Sequence, residues 1–223
     1  MVDLPNEGRL RWIVERSARL LQGGAEPVSG LVLPTAEFFP DTFDGSERSL
    51  LRLLARVLKL AGLSDLEVGL AVSAGDGGGA SGGCSSGACS TPAAANQSLE
   101  RVVEVGDAYV VNVAAQEVNN PTVLTTALVR AVSHIFLKEA DLYEHFELGE
   151  VPLGVDLASV WLGFGIIACN GSYIYAKSCG GVRVASATSM PVEELALALA
   201  IHCKLHNHPR RTASRHLGVT PRA

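Results

Sequence analysis

The chain has 223 residues, 48% of them hydrophobic and 18% charged, with a formal net charge of −5. That length is one domain's worth and supports a proper core, and the composition is that of a slightly greasy globular protein. The acidic balance excludes a generic nucleic-acid binder.

Five cysteines, Cys84, Cys89, Cys169, Cys179 and Cys203, are spread along the chain. An odd, dispersed set is no disulfide framework and points to reduced thiols in the cytoplasm. The N-terminus is polar, without an apolar signal region. No apolar run is read as long enough for a membrane span, residues 195–201 being far too short.

Residues 8–22 predict a first helix, with Leu10, Ile13, Val14, Ser17, Leu20 and Leu21 near helical spacing and Gly23-Gly24 as its stop. Trp12 on that helix reads as packing. Pro40 and Asp44-Gly45 supply turn chemistry, and Asp44 or Ser46 caps a helix reaching Ala61. Its apolar stripe is Leu50, Leu51, Leu54, Val57, Leu58 and Ala61, with Gly62 as the stop. Residues 67–72 alternate as a half-buried strand.

Residues 73–97 are rich in Gly, Ser and Ala and contain Cys84 and Cys89. The stretch has no Lys to complete a P-loop. The two cysteines suit a metal or a local disulfide, but no second pair lies nearby to complete a site. A flexible surface insert is the favoured reading.

Residues 102–105 and 108–113 read as strands around the Gly106-Asp107 turn. Asn120 caps and Pro121 opens a helix running to about Leu137, with Leu124, Leu128, Ala131, Val132, Ile135 and Phe136 on its apolar face. The acidic residues 138–150 form a loop or a short amphipathic turn. The next helix starts at Pro152 and carries Leu157, Val160, Trp161, Phe164 and Ile167. Gly163 and Gly165 inside it call for close helix approach. Residues 178–186 are Gly-interrupted and β-like. A last helix opens with Glu193 and Glu194 in its first turn and ends near His206. The organisation is one domain over residues 1–208, with the 73–97 insert, and a basic, disordered tail over residues 209–223.

The helix over residues 125–137 has the character of the buried helix that carries H-E-x-x-H in zinc hydrolases. Further stretches extend the likeness: Phe38-Phe39-Pro40 with Asp44-Gly45, then Asp156-Leu157 with Leu162-Gly163-Phe164-Gly165-Ile166, then residues 194–199. Together they resemble a family of bacterial zincin-like, metallopeptidase-like proteins. The resemblance covers most of the chain outside the insert. It implies an α+β single domain with a zincin-like helical core and a small β-sheet.

In such a family two His four residues apart share one Zn²⁺, and the Glu beside the first acts as general base on the bound water. An acidic third ligand opens a second helix, and an Asp four residues on orients a ligand His. Carried over, the first His matches Arg130, the base Ala131 and the second His His134. The third ligand matches Pro152 and the orienting Asp matches Asp156. A guanidinium binds no cation, a methyl moves no proton, and Pro152 has no side-chain donor atom.

The resemblance therefore implies a remnant site of Arg130, Ala131, His134 and Asp156, with no catalytic residue and no cofactor. The implied function is a pseudoenzyme that binds, scaffolds or regulates another protein, without nucleic acid or membrane. Arg130 is expected to pair with Asp156 or with an acid of residues 139–150, filling part of the metal volume, and His134 to be satisfied by Asp156. The alternative is a metal-dependent hydrolase whose zinc ligands are relocated among His134, Glu139, Asp141, Glu144, His145 and Asp156. His202 and His206, four apart with His208 close by, are either a transition-metal pair or a polar terminus facing the helix dipole. Cys169, Cys179 and Cys203 have no base placed against them.

Overall fold

Side-chain caps and glycine stops define the first two helices of the computed structural model, which describes residues 5–73, 101–178, 181–218 and 221. Cys84, Cys89 and Cys179 lie outside the described residues, as does the 73–97 insert apart from Ser73. Asn6 accepts from Arg9 N at the start of α1 (Glu7–Gln22), and Ile13, Ser17 and Leu20 are the buried stripe. Ser46 caps α2 (Glu47–Ala61), while Asp44 holds that cap from outside, accepting from Ser46 N at 2.9 Å and Ser46 Oγ at 2.6 Å. Gly62 ends α2 in a left-handed conformation, φ 77°.

A three-stranded sheet follows in the order β1-β3-β2. Strand β1 (Val68–Ser73) runs parallel to β3 (Ala108–Ala114), and β2 (Val102–Val105) pairs antiparallel with β3 through the predicted turn at Gly106. Tyr109, Val111 and Val113 alternate inward along β3, so one face of the sheet covers the helices. After the short α3 (Ala115–Val118), Asn120 accepts from Thr122 N and Val123 N and caps α4 (Pro121–Glu139). Every residue of α4 from Thr126 to Leu137 is buried. A helix enclosed on all sides is the centre of the fold, and it packs on α2, the sheet, α5 (Val151–Ser159) and α6 (Gly165–Gly171).

Residues 138–150 contain one 3₁₀ turn, Tyr143–His145. Between α5 and α6 the chain widens into a π-helical segment, Val160–Phe164, that breaks at Gly163, φ 94°. A Cβ at Gly163 would lie 2.3 Å from Gly30 O, and Val32 N donates to Gly163 O at 2.9 Å. The expected close helix approach is therefore made at Gly165, where a Cβ would meet Leu199 of α7 (Val192–Leu205) at 2.8 Å. Gly163 instead admits the 27–32 loop.

Two expectations are corrected. Val151–Gly171, 21 residues of mean hydropathy 1.7, is long and apolar enough to cross a membrane, contrary to the reading that no run reaches that length. It is a core helix here, with 89% of its apolar window buried inside the protein and its π-helical segment packed on α1 and α7. The expected disordered tail carries α8 (Arg210–His216), with Ala213 buried. Asn170 of α6 fixes its end, donating to His216 O at 2.9 Å and accepting from Gly218 N at 2.8 Å. Pro209 precedes the first turn of this helix. Strands β4 (Ile174–Ser178) and β5 (Gly181–Ala185) form a separate antiparallel hairpin, as the β-like reading of residues 178–186 anticipates in part. The architecture is α+β, a helical core with a small mixed sheet.

Candidate functional site

Helix α4 carries Arg130 into the interior, where it is 4% exposed. Its Nε donates to Asp156 Oδ1 at 2.5 Å, Nη1 to Ala187 O at 2.9 Å and Nη2 to Ser189 Oγ at 2.9 Å. Asp156, fully buried on α5, accepts at Oδ2 from Ser189 N at 2.6 Å and Met190 N at 2.7 Å. The pair thus ties α4, α5 and the segment leading into α7 into one knot. Burial pushes the Asp156 carboxyl above its ordinary value, opposed by the Arg130 charge and the two backbone donors. With donors on both oxygens, the ionised carboxylate is the form this geometry fits. Full satisfaction of this kind is the condition under which a buried charge pair is tolerated.

Arg130 therefore pairs with Asp156 rather than with an acid of residues 139–150. The Asp156 carboxylate takes hydrogen bonds from Arg130, Ser189 and Met190. His134, 2% exposed, stacks on Tyr143, with ring centroids 5.4 Å apart and planes at 15°. Ala131 contributes a buried methyl, and Pro152 sits in the first turn of α5.

The donors proposed for a relocated zinc set are dispersed or engaged. Glu139 accepts from Tyr109 OH at 2.5 Å, and burial, then Glu139 itself, drives that hydroxyl's pKa well above its ordinary value. Glu150 accepts from Trp12 Nε1 at 2.8 Å and Arg16 Nη2 at 2.9 Å, so Trp12 anchors as well as packs. Asp141, Glu144 and His145 are exposed. Among the described residues, no three His, Cys, Asp or Glu side chains stand in a pose that holds a metal ion.

His202 and His206 do meet, with ring centroids 4.5 Å apart, and His208 joins them. Cys169 is fully buried, and its thiol is pushed up to about 12 by burial, with Cys203 adding to the effect. That is the opposite of an activated nucleophile.

Sequence reasoning missed Ser189, Met190, Ala187 and Tyr143. All four act at least in part through backbone atoms or by stacking, which leave no residue-type signature. An apolar cleft of about 400 Å³ lies at the N-terminal end of α4, away from His134, lined by Phe39, Phe43, Leu53, Leu124 and Ile167 among others. Of the Phe38-Phe39-Pro40 stretch, Phe39 lines this cleft. Compared with models of known families, with curated proteins and with solved structures, the chain matches none.

Proposed function

We propose that this chain is a non-catalytic, zincin-like pseudoenzyme, a cytoplasmic protein that binds, scaffolds or regulates another protein. The buried Arg130–Asp156 pair carries the reading. In the zinc hydrolases that the sequence resembles, the position of Arg130 supplies a ligand and that of Asp156 orients one. Here each is spent on the other. A divalent cation beside the guanidinium would meet like charge in a poorly screened interior, and Ala131 offers no base. The alternative, a hydrolase with relocated ligands, draws on Glu139 and Asp156, which already serve Tyr109 and Arg130.

The test is hydrolysis of quenched peptides and unfolded casein by the purified, tag-free protein with added Zn²⁺. The expected result is no turnover above buffer, with His134→Ala giving the same trace. Zinc-dependent turnover that His134→Ala abolishes would overturn the reading.

A further inference from the structure

A second cluster stands at the C-terminal end of α7. His202 is 0% exposed, and neither of its ring nitrogens has a hydrogen-bond partner; Nε2 of His206 and Nε2 of His208 are also buried without one. Each buried polar atom left in that state costs about 1–3 kcal/mol, so four together ask for an explanation. The local chain path brings the rings together. His202 and His206 are one helical turn apart. Asn207 then takes a left-handed φ of 56°, and His208 N donates back to Cys203 O at 2.8 Å, which returns the third ring to the first two. Trp161 walls the cluster, its centroid 5.5 Å from His202 and 6.4 Å from His206, and is itself held by donating to Ser17 Oγ at 2.9 Å.

We propose that His202, His206 and His208 bind one divalent transition-metal ion of the zinc class through three imidazole nitrogens. The spacing suits it. A Zn–N bond of about 2.0–2.1 Å puts each ring centroid about 3.2 Å from the ion, and tetrahedral ligands then have centroids about 5.2 Å apart. The observed separations are 4.5, 5.8 and 6.2 Å. The rings now lie as tilted plates, at 15° to 40° to one another, and are not in a ligating pose. Ligation therefore requires new rotamers of the half-buried His206 and His208 side chains beside the buried His202.

The rival reading, a polar terminus facing the helix dipole, leaves the four buried ring nitrogens without partners. The bound ion joins the end of α7 to the segment that leads into α8. The site stands independently of the α4 reading.

The experiment uses tag-free full-length protein stripped with a chelator, then loaded with Zn²⁺ or Co²⁺. The readouts are metal per chain, the visible spectrum of bound Co²⁺, and the thermal midpoint. Wild type is compared with His206→Ala/His208→Ala, whose fold is checked by circular dichroism, and with His134→Ala. The proposal expects one ion per chain and a raised midpoint in wild type and His134→Ala, both lost in the double variant. No binding by wild type, or equal binding by wild type, the double variant and His134→Ala, overturns the site and leaves the α4 reading standing. Binding lost in His134→Ala but kept in the double variant overturns both.

Discussion

Asp156→Ala is the sharpest perturbation of the interior. It strands the Arg130 guanidinium, 4% exposed, without a counter-charge, and leaves Ser189 N and Met190 N without their acceptor. Removing one member of a buried pair costs about 3–5 kcal/mol, and each orphaned buried N–H about 1–3. These losses share one small volume and do not add, so the expectation is about 4–6 kcal/mol. For a chain of this size that lowers the thermal midpoint by roughly 10–20 °C. Arg130→Met leaves Asp156 its two backbone donors and costs less, about 3–5 kcal/mol. The double variant Arg130→Met/Asp156→Ala removes both charges but still orphans the two N–H groups, and it should be more stable than Asp156→Ala. Urea denaturation followed by circular dichroism reads all three, with a shifted midpoint at constant slope. If alanine prevents folding, Asp156→Asn keeps an oxygen for the backbone donors and gives a milder, measurable loss. A cost under about 1 kcal/mol for Asp156→Ala, or no coupling in the cycle, would refute the claim that the pair is a satisfied interior knot.

The remaining predictions are more local. Metal-free protein should lose stability as pH falls from about 6.5 toward about 4, because the unfolded chain protonates His202 over that window and the folded chain does not. The ceiling is about 3 kcal/mol, and roughly 2 once solvent screening at the half-buried neighbours is allowed for. A urea midpoint measured against pH checks this, with His202→Gln flattening the slope; equal slopes would contradict it. Gly163→Ala should cost about 2–4 kcal/mol, from a positive φ and a Cβ driven into Gly30 O. A variant as stable as wild type would mean that the 27–32 loop does not pass where it is placed.

What was legible in the sequence was local. Ser46 with Gly62, Gly106, and Asn120 with Pro121 each act on near neighbours through caps and turns, and the elements they bound appear where the sequence puts them. The Arg130–Asp156 pair was also legible, because the resemblance gave both positions one site to share. Features set by distant chain segments were not. Gly163 answers to Gly30, more than a hundred residues away in sequence. The main-chain donors at Ser189 and Met190 that hold Asp156, and the stacking of His134 on Tyr143, join segments far apart in the chain. The order of residues 210–216 depends on Asn170 reaching across from α6. The greasy run Val151–Gly171 looks alike in lipid or in a protein interior, and only its neighbours decide which it is.

The central claim is that the ligand positions of a zinc helix have been given over to an ion pair. The most direct measurement is zinc per chain, by elemental analysis after dialysis, in a His206→Ala/His208→Ala background with and without Arg130→His/Ala131→Glu/Pro152→Glu. The account predicts no bound zinc in the background and one zinc per chain once the three changes are made, since His134 and Asp156 are already placed on α4 and α5. Zinc bound by the background and removed by His134→Ala would contradict it, as would a folded triple variant that binds none.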